Sequence, residues 1–226
     1  MRLLALLLFL APFAGHGATN FIVRISTNQI AIPTPEGFVE VGLAERKSFP
    51  ANSPNALLAW FVRTNDLQLL EPNATNFLKS HFQVQTVKEW TNKVMSARSF
   101  AKFVELTEKE RAGDMTSVAE AVTKVFAENT NGATAADIAI PKQLGTIFKT
   151  ERAYGALMLV GYTVPTKDGP GRVPMVAGNA VVRIGNKCLF LYCYEYVEKR
   201  ELQKAVDTVR ERLKPWVEAT LSANPG

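Results

Sequence analysis

The chain has 226 residues, 47% of them hydrophobic and 21% charged, with a formal net charge of +5 and two cysteines. This composition is ordinary for a globular protein and excludes the disordered and fibrous classes. Basic residues alternate with acidic ones, as in Glu198-Lys199-Arg200-Glu201. Such mixing is typical of a solvated surface and argues against nucleic acid as a partner.

The first residues have the three parts of a secretory signal peptide. Arg2 supplies the positive start, Leu3–Phe13 is the apolar run, and Gly17-Ala18 is a small-residue junction. The run is too short to cross a bilayer, which needs about 20 apolar residues. We therefore expect a cleaved signal peptide over residues 1–17, export to the periplasm or the extracellular space, and one domain over 18–226 without a stable membrane span. An uncleaved leader that holds the protein at a membrane surface is the alternative.

The region from Phe21 to Trp90 has the short alternating runs of β-strands. Predicted strands, with a turn at Pro33–Gly37 between the first two, are Gln29–Ile32, Phe38–Val41, Ala56–Arg63 and Lys79–Lys88. In Lys79–Lys88 the alternation places Phe82 and His81 on opposite faces of the strand, and we expect the face with His81 to be exposed to solvent. Because His81 is the one histidine after the leader, we expect neither a catalytic triad nor a histidine metal site.

From Ser96 the hydrophobic period becomes helical. The apolar face of this first helix is predicted to carry Phe100, Phe103, Val104 and Thr107. A second helix begins at the capping box Ser117–Glu120 and ends at Asn131-Gly132. We expect both helices to lie on the sheet.

The last third of the chain predicts three strands and a long helix. The strands are Ala153–Val164, Met175–Ile184 and Lys187–Val197, joined by a loop at Lys167–Gly171 and a type II′ turn at Gly185-Asn186. The helical stripe, which Pro215 should kink, is Leu202, Ala205, Val206, Val209, Leu213, Trp216, Val217 and Leu221. This order of elements predicts an α+β fold with a mostly antiparallel sheet flanked by helices.

A two-residue turn at Gly185-Asn186 fixes the pairing of the last two strands. One face is small and aliphatic, with Gly178 and Ala180 making room for Leu213 or Trp216 of the final helix. The opposite face carries Asn179, Arg183, Tyr192 and Tyr194. Aromatic and polar groups of this kind line binding grooves for small molecules or peptides, so these four residues are the candidate binding site. The alternative is a packed layer under the central helices.

Cys188 and Cys193 lie in one predicted strand. Five residues of strand separate their Cα atoms by ~16 Å and point the side chains to opposite faces, whereas a disulfide needs less than ~7 Å. We expect two buried, inert thiols. Glu195, near the strand end, is expected to be solvated or to cap a helix.

Two segments resemble the PsbP/Mog1-like family. They are the hairpin Val181–Tyr194, which leads into the helix with Trp216, and the segment Ile32–Phe38. The resemblance implies a central antiparallel sheet with helices on both sides, an α/β/α sandwich, and an accessory or partner-binding role without catalysis. It assigns no functional residue.

The chain lacks the linear motifs of common hydrolases and nucleotide-binding enzymes. Together with the leader and the antiparallel pattern, this favours an exported, non-enzymatic protein that binds an unknown protein or small-molecule partner, with no cofactor and no metal. The rival hypothesis is an uncharacterised extracytoplasmic hydrolase, because catalytic carboxylates or tyrosines leave no linear signature.

Overall fold

The computed structural model describes residues 19–46, 50–71, 76–111, 142–166, 169–198 and 201–225. The predicted leader over residues 1–17 and the predicted second helix from Ser117 to Gly132 lie outside the described residues. Within the described ranges, no helix is both long and apolar enough to cross a membrane.

The described elements alternate between strands and a few helices. The strands are β1 (Asn20–Ile25), β2 (Asn28–Pro33), β3 (Phe38–Glu40), β4 (Asn55–Arg63), β5 (Ser80–Val87), β6 (Lys142–Lys149), β7 (Ala153–Thr166), β8 (Gly169–Ile184) and β9 (Lys187–Tyr196). The α-helices are α1 (Leu43–Arg46), α2 (Ala97–Arg111) and α3 (Leu202–Ala223), and short 3-10 helices lie at Thr64–Leu70 and Lys88–Trp90.

Seven strands form one large sheet in the order β3-β4-β5-β9-β8-β7-β6. Each neighbouring pair in it is antiparallel. Strands β1 and β2 form a separate antiparallel hairpin. The α+β class and the antiparallel sheet predicted from the sequence are confirmed.

The four strands predicted before Trp90 are present, each end shifted by one residue at most. Two strands were not predicted. The first is β1, and the second is β6, whose pairing with β7 shifts register at Gln143/Gly145 and again at Thr146/Phe148. These bulges break the period-two alternation by which a strand is recognised in a sequence. Gly145 has a φ of +127°, which an L side chain rarely adopts.

The loop predicted at Lys167–Gly171 is wrong in extent, because β7 and β8 stay paired as far as Thr166 and Gly169. Prolines and glycines in this stretch predicted a loop. Beyond the pairs that β7 makes with β6 and β8 makes with β9, however, the two strands pair only with each other among the described residues. Proline is tolerated on such edge strands, because it removes no ladder hydrogen bond where its nitrogen faces away from the partner strand.

The hairpin of β8 and β9 has the predicted pairing. Val182 lies opposite Leu189, Gly178 opposite Cys193 and Asn179 opposite Tyr192. Gly185 has a φ of +56° and Asn186 is not in the left-handed region, as a type II′ turn requires.

Helix α3 and the β1-β2 hairpin cover one face of the sheet. The helical stripe predicted from the sequence is buried or half-buried there. Val209 and Leu213 pack directly over Gly178, so of the two side chains proposed for that space the structure places Leu213 there and not Trp216. Trp216 instead donates its Nε1 hydrogen to the carbonyl of Pro33 at 2.7 Å.

Helix α2 covers part of the opposite face. Phe100 and Val104 are buried against Tyr154, Val181 and Cys188 near the hairpin turn. The start of α2 is tied to that turn, because the Met95 amide donates to the Asn186 carbonyl at 2.8 Å. The apolar stripe predicted for the first central helix is therefore the one that packs on the sheet.

Candidate functional site

Three of the four predicted site residues meet on the sheet face that α2 partly covers. Asn179 pairs with Tyr192 across β8 and β9, and the rings of Tyr192 and Tyr194 stack 5.9 Å apart at 18°. Asn179 is buried, and both tyrosines are half-buried. The fourth residue, Arg183, lies at the turn end of β8, where its guanidinium donates to the Gly185 carbonyl at 2.8 Å. The structure does not bring Arg183 to the tyrosines.

His81 joins this cluster, which corrects the prediction that it faces solvent. It lies opposite Tyr194 in the sheet, and the two rings stack 4.6 Å apart at 16°. Its exposed fraction is 0%. Alternation assigned His81 to the correct face, but both faces of β5 are covered, since Ser80 through Thr86 are all buried. Burial lowers the pKa of His81 to about 3, so the imidazole is neutral near pH 7.

Several polar atoms on this face have no hydrogen-bond partner among the described residues. They are both ring nitrogens of His81, Nε1 of Trp60 and Oδ1 of Asn179. Buried polar atoms are normally satisfied by protein groups, ordered water or a ligand.

Two tyrosines on this face, Tyr162 and Tyr194, stay protonated near neutral pH. Burial raises the pKa of Tyr194 well above its usual value, and the neighbouring Tyr192 and Tyr162 raise it further. Burial also raises the pKa of Tyr162, which a hydrogen bond with Gln83 partly offsets. A phenol that stays protonated can donate a hydrogen bond but cannot accept a proton.

A second site, which the sequence did not predict, is a cleft between the turn after β2 and helix α3. We call it the turn–helix cleft; its volume is about 400 Å³. The floor consists of Phe38, Phe82 and Trp216. Their rings meet edge to face, and the ring centroid of Phe82 lies 4.8 Å from that of Phe38 and 4.9 Å from that of Trp216. Pro35 and Pro215 line the two sides. The cleft thus offers an apolar, aromatic surface between rigid walls.

The rim of the turn–helix cleft is acidic. Glu36 and Glu211 line it, and neither forms an ion pair within the part of the chain that the structure describes. Arg212 also lines the cleft, but its guanidinium is held 2.7 Å from Glu195 and 3.0 Å from the Ser80 hydroxyl. Glu195 is therefore an ion-pair partner of α3, and the prediction that it is solvated or caps a helix is wrong.

The sequence predicted both walls of the cleft, but it did not predict that they lie next to each other. The turn Pro33–Gly37 and the stripe of α3 were each predicted, and the bond from Trp216 to Pro33 joins them. Trp216 directly after a helix-interior proline was the signal that could have pointed to this side of the helix.

Another concave region is charged. Its volume is about 580 Å³, and it is lined in part by Asp66, Lys79, Glu195 and Glu198. Two of the carboxylates are paired with cations, Glu198 with Lys79 at 3.6 Å and Glu195 with Arg212. Across the described ranges, no group of three or more histidine, cysteine or acidic side chains is placed to hold a metal ion.

The two cysteines are buried, unpaired and on opposite faces, as predicted. Burial raises the pKa of Cys188 to about 12 and raises the pKa of Cys193 as well. Neither thiol has the thiolate character that a nucleophile or a metal ligand needs.

Comparison with known proteins gives a resemblance in fold. No protein-family model matches the chain, and no curated protein matches it. A solved structure of a mutant of the protein Mog1 is similar to it over 91% of this chain and 93% of that chain, with 15% identity and a TM-score of 0.35. This is a weak Mog1-like resemblance and concerns the fold alone.

Proposed function

We propose that this chain is an exported, non-enzymatic binding protein that seats its partner in the turn–helix cleft. The observation that supports the proposal is the aromatic floor of that cleft beside an acidic rim, whose Glu36 and Glu211 form no ion pair with another described residue. Its volume of about 400 Å³ falls in the range of ligand pockets, roughly 300–1,000 Å³. An aromatic floor with a few polar groups at the edge is the usual composition of such sites.

A bulky side chain at the mouth of the cleft tests its role. Ala219 is exposed and lines the cleft, whereas its neighbour Glu218 is exposed and does not line it. An uncharged, environment-sensitive dye such as Nile red should gain fluorescence on binding the wild-type chain. We expect Ala219→Trp to abolish this gain and Glu218→Trp to preserve it. Equal binding by both variants would contradict the proposal.

Export rests on the leader and needs its own measurement. The first eighteen residues have the pattern of a signal peptide with a junction at Gly17-Ala18. N-terminal sequencing of exported protein should find Ala18 as the first residue. Finding Met1 in membrane-bound material would replace export with attachment by an uncleaved leader.

The charged region lined by Asp66, Glu195 and Glu198 favours the rival function, an extracytoplasmic hydrolase. Paired carboxylates in a concave site are the machinery of glycoside hydrolysis. This rival requires turnover in a panel of ester and glycoside substrates that Glu198→Gln removes. We expect no such turnover, because Glu195 is held in a 2.7 Å ion pair with Arg212 and the Glu198 side chain is 53% exposed, outside the kind of buried setting that raises the pKa of a catalytic acid.

A ligand role for Asn179, Arg183, Tyr192 and Tyr194 stays a prediction. Tyr192 stacks on Tyr194 and Tyr194 stacks on His81, which provides a reason for the presence of both tyrosines without a partner, since stacked rings stabilise a sheet face through packing alone.

A further inference from the structure

We propose that the occupant of the turn–helix cleft is a peptide segment with an apolar side chain followed closely by lysine or arginine. This inference rests on the proposed function and adds the chemical class of the partner. Three features of the cleft support it: the apolar floor, the charge of the rim and the length of the helical wall.

The floor selects the apolar side chain. Phe38, Phe82 and Trp216 are 8%, 1% and 4% exposed, so only a small part of each ring faces the cleft, and the more exposed Pro35, Pro215 and Ala219 complete its apolar lining. Nε1 of Trp216 is already bonded to Pro33, which leaves no donor from that ring for a polar ligand. An aliphatic or aromatic side chain therefore fits this floor better than a polar one.

The rim selects the positive charge. Glu36 and Glu211 have no cationic partner among the described residues, while the charge of Arg212 is neutralised by Glu195. Two carboxylates without a cationic partner in the described part of the chain attract an ammonium or guanidinium group.

The length of the cleft suits a short stretch of extended chain. Its helical wall runs from Glu211 to Ala219, which at 1.5 Å per residue is about 12 Å. Extended chain rises about 3.3 Å per residue, so three to four residues of a peptide span this wall. An apolar side chain on the floor and a cation at Glu211 are then a few residues apart in one peptide.

Two labelled octapeptides provide the test. Both have a central phenylalanine flanked by prolines; one continues with two lysines and the other with two glutamates. The protein is the chain from Ala18 to Gly226, which contains every described element. We expect fluorescence anisotropy to detect the lysine peptide and to show weaker binding or none for the glutamate peptide. The preference should shrink in 1 M salt, where the screening length falls to about 3 Å.

Charge-removing variants locate the effect. We expect the double variant Glu36→Gln/Glu211→Gln to weaken the lysine peptide by about three- to tenfold at low salt, as exposed ion pairs do. Glu218→Gln is the matched control, since Glu218 lies on the same helix, pairs with Lys214 and does not line the cleft. It should change the affinity by less than about twofold.

Each other result overturns the inference in a distinct way. Equal affinity for both peptides, lost in Ala219→Trp, would keep the cleft as a binding site but remove the charge selection. Peptide binding that Ala219→Trp leaves intact would remove the cleft itself. Concentration-dependent dimerisation abolished by Ala219→Trp would make a second copy of the chain the occupant. A fatty acid that binds more tightly than the lysine peptide would replace the peptide by a lipid.

Discussion

A Cβ atom added to Gly178 would lie 2.5 Å from Cγ1 of Val209. The glycine in the middle of β8 is thus required by the close approach of helix α3 and not by a turn. We expect Gly178→Ala to lower the free energy of unfolding by about 1–3 kcal/mol, because overpacking a well-filled core forces the helix or the strand to shift. Urea denaturation followed by circular dichroism measures the change.

Val209→Ala supplies the control for this contact. It removes the Cγ1 atom that the new methyl group would meet, so Gly178→Ala should cost less in that background than in the wild type. Leu213 lies 2.8 Å from the same position and keeps the relief partial. An identical cost in both backgrounds would show that the strain lies elsewhere, since residues in contact are expected to couple.

Local pattern was enough to predict the parts of the fold that local rules determine. A two-residue turn at Gly185-Asn186 fixed the pairing of β8 with β9, because strand register follows from turn length. The apolar period of α3 identified the face that packs on the sheet. Both outcomes depend on residues close together in the sequence.

Features that depend on distant segments were not predictable in this way. Alternation placed His81 on a face, but its exposure depends on what covers that face. The turn–helix cleft needs Pro35 and Pro215 to come together from opposite ends of the chain. Neither relationship leaves a period or a spacing in the sequence. Three residues of the predicted site, Asn179, Tyr192 and Tyr194, lie close together because of the pairing of β8 with β9. Arg183 lies on the same face of the sheet but near the turn end of β8, away from the tyrosines.

The side chain of Asn224 replaces a strand partner for β2. Its Oδ1 accepts from the Ala31 amide at 3.0 Å, and its Nδ2 donates to the Ala31 carbonyl at 2.7 Å and to the Thr220 carbonyl at 2.8 Å. Asn224→Asp keeps the shape of the side chain but replaces the Nδ2 donor with a carboxylate oxygen. This oxygen cannot donate to the carbonyls of Ala31 and Thr220 that it faces. We expect a loss of about 1–3 kcal/mol in the free energy of unfolding at pH 7, from the buried groups left unpaired.

The pH dependence of Asn224→Asp separates charge from shape. The new carboxyl is disfavoured in its ionised form by the facing carbonyls, so its pKa is higher in the folded than in the unfolded chain. The destabilisation should be largest above that folded pKa and should shrink as the pH falls through it. Asn28→Asp is the control, because Asn28 donates to Asn186 at an exposed position. It should cost less than about 0.5 kcal/mol.

Cys188 and Cys193 should resist alkylation in the folded protein. Both are buried, and burial raises the pKa of Cys188 to about 12. Since the thiolate is the reactive form, we expect iodoacetamide at pH 8 to modify both residues at least about 100-fold more slowly than in 6 M guanidinium chloride. Peptide mass spectrometry assigns each site. Rapid modification of either cysteine in the native chain would contradict its burial.

The buried imidazole of His81 should make the fold sensitive to acid. Its pKa is lowered from 6.5 to about 3 by burial, so between these values the unfolded chain binds a proton that the folded chain does not. Stability from this group is therefore complete above pH 6.5 and falls as the pH drops, with a slope of roughly 1.4 kcal/mol per pH unit until the folded group titrates.

His81→Phe isolates this contribution from that of the carboxylates. Phenylalanine keeps a flat ring against Tyr194 but cannot titrate. It also removes the two ring nitrogens that have no hydrogen-bond partner in the described part of the chain. We expect the variant to lose less stability than the wild type between pH 6.5 and 4, measured by urea denaturation at each pH. The difference between the two curves should widen steadily with acid. Parallel curves would mean that His81 acquires its proton in the folded chain as easily as in the unfolded one, and would place the imidazole in contact with water or an acceptor.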